Sequence, residues 1–320
     1  MQALDLNDFL LHYRKSGRYV PLPKDTAYRL PSPLQRLLGA ARSRPQAIVK
    51  LASKLKSADS ICHAVEYISR DDTRELRNQD NDVVNGLTEG RAIARAWTED
   101  KLKRKDALRA VHLIFSSPKH TRPGQNYDAA RALCRDVFDE HEYVLAQHDD
   151  TPNLHTHVIL KNISLRGKGR TWRKAQLKAL RDAWAYHQQQ QGIDVTSSYR
   201  SERAAYTPGL SMPQVKARAR GETLYHEKEP SKDNDRTQVW ITRQIEQAHE
   251  TFLRHAELQR LLRKSNDARA RDYLRDNARF MDELVARSRD HVETFRPGRM
   301  PDWIRAYRPE APEDEVAFSR

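Results

Sequence analysis

Cysteine is nearly absent from this 320-residue chain. Cys62 and Cys134 are its only two, too few for a disulfide framework or a thiolate zinc site, which fits a reducing compartment. Long apolar runs are missing as well: nothing approaches the ~20 residues of a membrane span. The opening stretch MQALDLNDFLLHYRKSGRY lacks an apolar signal-peptide core followed by a small-residue cleavage site, so the expectation is a cytosolic protein. Hydrophobic residues make up 38% of the chain and charged ones 32%, which confines the core to part of the length. Positive charge is what the chain has in excess, with a formal net charge of +13. That bears on partners rather than on fold, and it favours a polyanion such as nucleic acid over a generic solvated basic surface only when a site supports it.

Three textures divide the sequence. Residues 1–45 are rich in Pro, Tyr and Arg and read as an N-terminal arm. From 46 to 204 strand and helix signals alternate. AIVKLAS (47–53) reads as a strand and SADSICHAVEYISR (57–70) as a helix capped by Ser57 or Asp59, with Ile61, Ala64, Val65 and Ile68 on one face. A polar loop runs through Asn85 and Gly86, and a second helix spans Glu89 to about Lys103. ALRAVHLIFS (107–116) reads as a strand and NYDAARALCRDVFDEH as a helix. EYVLAQH (142–148) and HTHVILKNIS form a hairpin around the turn chemistry of DDTPNL, and a helix from about Arg173 to Gln191 is closed by Gly192. Beyond about residue 210 the strand signals vanish, and 205–320 reads as a highly charged, extended helical region. The order β-α-α-β-α-β-β-α predicts an α+β domain with a central antiparallel sheet flanked by helices.

The densest chemistry lies in HDDTPNLHTHVIL (148–160). On a strand, residues i and i+2 share a face, so His155 and His157 point together. The hairpin turn then folds His148 back toward them. Three imidazoles can converge on one ion, with Asp150 close enough to accept a ring N–H or to act as a base. Three neutral ligands leave coordination positions open, as catalysis needs. Imidazole favours Zn, Fe, Ni or Cu over Mg and does not by itself choose the ion. His112, which alternates with Ile114 and Ser116 on one strand face, is either near this site or an ordinary satisfied sheet histidine. From Thr151 to Arg181 there is no acidic residue, but there are eight basic ones: Lys161, Arg166, Lys168, Arg170, Arg173, Lys174, Lys178 and Arg181. RGKGRTWRK sets Gly and Trp among those charges, apt for a phosphate backbone and a stacked base. Beside an open metal site, a phosphodiester is the substrate these features favour over a merely solvated loop.

QHDDTPNLHTHVIL resembles the third motif of conjugative relaxases, the HUH endonucleases that nick plasmid DNA at the transfer origin, and among them the VirD2-like (MOBP) branch. EYISR resembles that family's first motif, whose tyrosine is the nucleophile, which makes Tyr67 the candidate. VHLIFSSP resembles the second, making Ser116 the serine near the scissile phosphate, and QQQGIDVTSSYRSERA resembles the stretch that closes the domain. The likeness spans roughly 47–204. One departure stands out: Asp71 and Asp72 follow Arg70, where the family often has Gly. Spacing alone leaves Tyr13, Tyr19, Tyr28, Tyr199 and Tyr206 open as nucleophiles.

The resemblance implies a metal-assisted transesterification of single-stranded transfer-origin DNA, with Tyr67, Asp150 and Ser116 in catalytic roles. His148, His155 and His157 would hold a divalent ion (Mg²⁺ or Mn²⁺ by family, Zn²⁺ by ligand type), and Lys161, Arg166, Lys168, Arg170, Arg173 and Lys174 would contact DNA. It implies auxiliary relaxosome proteins and a type IV secretion coupling protein as partners, no small-molecule cofactor, and a cytoplasmic donor-cell location with translocation alongside the DNA as an extension. A replication-initiator or transposase nuclease of the same superfamily and a non-catalytic DNA-binding module with a structural ion are the competing expectations.

Overall fold

A computed structural model of the chain describes residues 33–70, 73–84, 86–99, 107–151, 153–199, 203, 217, 219–221, 235–264 and 270–309. Among these, no helix is long and apolar enough to cross a membrane. Two compact units emerge, one built on Arg44–Ser197, the other on Gln35–Ser43 and the residues from Ser198 onward.

The first unit is a six-stranded antiparallel sheet in the order β1-β4-β6-β5-β2-β3. Its strands are β1 (Ile48–Leu55), β2 (Leu76–Asn78), β3 (Val83–Val84), β4 (Ala110–Ser116), β5 (Tyr143–His148) and β6 (His155–Lys161). Helices cover both faces, which is why β4, β5 and β6 read as nearly continuous apolar runs despite being antiparallel. On one face Val111, Leu113, Phe115, Leu145, Val158 and Leu160 pack against α4 (Pro123–Val137) and α5 (Lys174–Gln190), including Leu133 and Trp184. On the other, Ala110, Val144, Ala146 and Ile159 meet Ile61, Val65 and Ile68 of α2 (Ala58–Ser69) and Trp97 of α3 (Gly86–Glu99). The apolar stripe read from the sequence of α2 is therefore its buried face, and Ser57 caps it through a reciprocal capping box with Ser60. Gly90 lets α3 approach α2 closely, since a Cβ there would stand 2.5 Å from Val65 Cγ1.

One departure from the sequence reading is physical in origin. The polar loop before α3 contains a short hairpin, β2 and β3, that carries no hydrophobic pattern. Its turn is held by the Asn78 side chain, whose Oδ1 accepts the backbone N–H of Asp80 and Asp82. The second helix is described from Gly86 to Glu99, and its expected end near Lys103 lies outside the described residues.

The second unit is described by itself. Helix α6 (Asp235–Arg263) and helix α7 (Ala270–Phe295) run antiparallel, His255 meeting Asn277 and Thr242 meeting Arg296. Their thin apolar stripes close a small core, with Ala40 and Ala41 of α1 (Pro33–Ala41) against Ala248, Phe280 and Leu284, and Val285 and Val292 against Ile304 of α8 (Asp302–Ala306). The extended helices expected from the sequence instead fold back on each other. Of the arm expected at 1–45, residues 1–32 lie outside the described residues, as does the chain end from 310.

His255 gives this unit a pH dependence. It is fully buried; its Nδ1 lies 2.6 Å from Asn277 Oδ1, and Asn277 Nδ2 donates to the His255 carbonyl at 2.9 Å. Burial pushes its pKa down from 6.5 to about 4, against the Asn277 hydrogen bond and with help from Arg254. A depressed histidine contributes stability that is complete above the unfolded value and lost as pH falls through the folded one, here about 3 kcal/mol between pH ~6.5 and ~4. The helical melting midpoint is expected to fall over that window, and the fall should be smaller in His255→Gln. Equal acid losses in both proteins would refute the assignment.

Candidate active site

The site lies at one end of β4, β5 and β6, on the face that α2 covers only in part. Register builds it. His155 is paired across strands with His148 on one side and Ser116 on the other, and His157 with Ala146 and Ile114. Small Ala146 leaves room for ring packing, with the His148 and His157 centroids 4.3 Å apart and His155 within 4.9 Å of His157. One ring nitrogen from each of His148, His155 and His157 lies within 4.8 Å of the others.

Each ring is held through its other nitrogen. His148 Nε2 lies 2.8 Å from the Ile68 carbonyl, which can only accept, so the proton sits on Nε2 and Nδ1 keeps its lone pair. Likewise, His155 Nδ1 lies 3.0 Å from the Asn153 carbonyl, leaving Nε2 bare. The third ring, His157, meets His112 Nε2 through Nδ1 at 2.7 Å. His148 Nδ1 and His157 Nε2 are buried without a hydrogen-bond partner among the described residues, a costly state for nitrogens that nothing engages. Burial, reinforced by the neighbouring histidines, pushes His157 down to about 2. Burial likewise lowers His148, and it takes His112 down to about 4. Neutral imidazoles with converging lone pairs, each oriented by a second hydrogen bond, are the donor set a divalent ion requires. The residues present fit a metal.

Tyr67, on the last turn of α2, stands beside this cluster with its ring centroid 5.6 Å from His157 and 6.0 Å from His112, and it is 51% exposed, so a substrate can reach it. Arg70 caps the helix in the left-handed region, φ 50° and ψ 53°, a conformation costing about 1 kcal/mol for a residue with a Cβ. The turn carries its guanidinium to 4.8 Å over the Tyr67 ring, and Nη2 donates to Asp150 Oδ2 at 2.6 Å. Asp71 and Asp72 lie outside the described residues.

The expected site residues divide into two groups. Tyr67, His148, His155, His157 and Asp150 come together, and Ser116 shares the His155 face by pairing. Asp150 is engaged chiefly by Arg70, and its Oδ1 is 4.0 Å from His155 Nε2, too long for the hydrogen bond expected. Carbonyls and His112 take that orienting role instead. Lys161 stands at the other end of β6, about 20 Å of strand away from His155, paired with Glu142 at 2.7 Å. The loop that follows is anchored at that far end too: Arg166 pairs with Glu140 and Arg170 Nη1 donates to the Val137 carbonyl. Lys168, Arg173 and Lys174 belong to the same loop and the start of α5. The cations at the histidine end are others: Arg70, Arg74 (paired with Asp149), Lys50, which shares the site face by pairing with Ile114, and Lys119 and Arg122 in the loop after β4. Arg70 was readable as the neighbour of the EYIS segment; the loop cations carried no signal.

Residues 67–193 match the family model described as relaxase, MobA/VirD2-like, nuclease domain. Over those residues the chain is similar to this relaxase family. The match opens on Tyr67 and takes in Ser116 and all three histidines. A solved chain from work on the molecular basis of vancomycin resistance transfer in Staphylococcus aureus is 13% identical, with 48% of this chain and 99% of that one covered and a TM-score of 0.34. No curated protein matches the sequence.

Proposed function

We propose that this protein nicks single-stranded DNA at a transfer origin by transesterification onto Tyr67. The observation that carries the reading is an exposed tyrosine ring 5.6 Å from a histidine of a three-imidazole cluster. Tyr67 Oη gives its proton to Asp150 or to water. It attacks the phosphorus; the P–O3′ bond breaks, and the leaving 3′ oxygen takes up a proton. The 5′ phosphate stays on Tyr67 as a phosphodiester, so the step exchanges one ester for another and runs backward for end-joining. A divalent ion on His148, His155 and His157, Mg²⁺ or Mn²⁺ by family or Zn²⁺ by ligand type, would supply charge to the non-bridging oxygens. Ser116 and the cations Lys50, Arg70, Lys119 and Arg122 position the strand near the scissile phosphate. Lys161, Arg166, Lys168, Arg170, Arg173 and Lys174 would meet DNA farther along its path. Residues 205–320 serve auxiliary-protein or coupling-protein contacts in the donor cytoplasm.

Incubating the protein with Mn²⁺ and single-stranded transfer-origin DNA of its own element should give a denaturant-stable adduct whose peptide maps to Tyr67, lost on adding EDTA. Metal-dependent cleavage without an adduct would mean water attacks instead, and tight binding with neither would favour a non-catalytic DNA-binding module.

A further inference from the structure

Behind the histidines, on the opposite face of the sheet, one side chain ties the same three strand ends together. Asn126 of α4 is fully buried. Its Oδ1 accepts the Thr156 hydroxyl at 2.7 Å and Gln147 Nε2 at 3.0 Å, and its Nδ2 donates to Ser117 Oγ at 2.7 Å. Each of these three partners is next in sequence to a residue of the site. Gln147 precedes His148 on β5, Thr156 lies between His155 and His157 on β6, and Ser117 follows Ser116 at the end of β4. Because side chains alternate across a strand, a contact that fixes the back-facing residue fixes the direction of its front-facing neighbours.

The network runs in one direction. Gln147 Nε2 also donates to the Pro123 carbonyl at 2.7 Å, which can only accept, so the Gln147 amide cannot be reversed. That obliges Asn126 to present Oδ1 to Gln147 and Nδ2 to Ser117. The Ser117 hydroxyl is thereby left to donate to Gln188 Oε1 at 2.8 Å. A chain of donors with one allowed sense, buried in low dielectric, holds its members more rigidly than separate bonds do. We propose that Asn126 is a positioning residue for the metal centre, holding the ends of β4, β5 and β6 in the register at which the three imidazoles converge. The inference rests on the three-histidine metal reading. Asn126 touches none of the histidines and acts through Thr156, Gln147 and Ser117.

The test is metal uptake by the full chain, read by Mn²⁺ titration calorimetry and by the Co²⁺ ligand-field spectrum, at a temperature where every variant is folded by circular dichroism. Asn126→Ala should weaken Mn²⁺ binding about tenfold, the scale on which outer groups tune a metal site, and should change the Co²⁺ spectrum. Thr156→Val, nearly isosteric, should weaken binding several-fold by removing one spoke, and Thr156→Ser should restore it; this pair decides the matter if Asn126→Ala does not fold. A merely structural Asn126 would lower the melting temperature and leave Mn²⁺ affinity and the Co²⁺ spectrum unchanged in both Asn126→Ala and Thr156→Val, which would overturn the inference alone. Uptake of undiminished affinity in His155→Ala, or no uptake in the parent protein, would overturn the metal reading and this inference with it.

Discussion

Tyr67→Phe should reduce covalent DNA adduct by about 10³-fold or more, the scale on which a lone nucleophile is missed, while leaving Mn²⁺ uptake and single-strand binding intact. The separation follows from where the ring sits. It is half exposed, and its contacts with His157 at 5.6 Å, His112 at 6.0 Å and the Arg70 guanidinium at 4.8 Å are ring contacts, which phenylalanine keeps. No hydrogen bond of the cluster passes through the hydroxyl: His148 is held by Ile68, His155 by Asn153 and His157 by His112. Stability should change by no more than about 0.5 kcal/mol. Calorimetry for Mn²⁺, fluorescence anisotropy for DNA and a denaturing gel for the adduct read the three properties separately. An adduct that persists in Tyr67→Phe and maps to another tyrosine would retain the nicking activity and remove Tyr67 as nucleophile.

How far the sequence disclosed this site depends on which residues are asked about. His155 and His157 sharing a face required only the two-residue period of a strand, and the return of His148 required only the turn chemistry of DDTPNL. Both are local signals, and the observed pairing of His148 with His155 carries them out. The contact between His112 and His157 is of another kind. It exists because β4 inserts between β1 and β6, a long-range choice with no local code. In the basic run, contiguity and proximity part: Lys161 is four residues from His157, yet along an extended strand those residues carry it to the far end of β6, where Glu142 and Glu140 pair with Lys161 and Arg166. Asn126 lay within a helix whose pattern spoke only of packing, and its role appears when three strand ends meet it. The fold class was legible from element order. The β2–β3 hairpin was not, since it is held by an asparagine side chain and bears no apolar alternation.

His148 should be the least replaceable of the three proposed metal ligands. Its Nδ1 is one of the cluster's two buried nitrogens without a hydrogen-bond partner among the described residues, and its Nε2 donates to the carbonyl of Ile68, the residue after Tyr67. One imidazole would thus join the ion to the helix end that presents the proposed nucleophile. His155, at the rim of the cluster, is held by its own turn through Asn153 and makes no such link. Removing either ligand should cost at least ~100-fold in Mn²⁺ affinity, beyond the range seen for outer-shell groups. His148→Ala should in addition leave the Ile68 carbonyl without its donor and a void in a fully buried position, about 2–4 kcal/mol of stability together. Raising Mn²⁺ to saturation separates the two effects. Adduct formation should recover substantially in His155→Ala, because the tyrosine still faces the remaining ligands, and should stay at least ~10-fold lower in His148→Ala, because a small misplacement of the attacking oxygen is costly even with the ion in place. Equal recovery in the two variants would mean that the Ile68 hydrogen bond does not position Tyr67, and that the nucleophile is held by the packing of α2 alone.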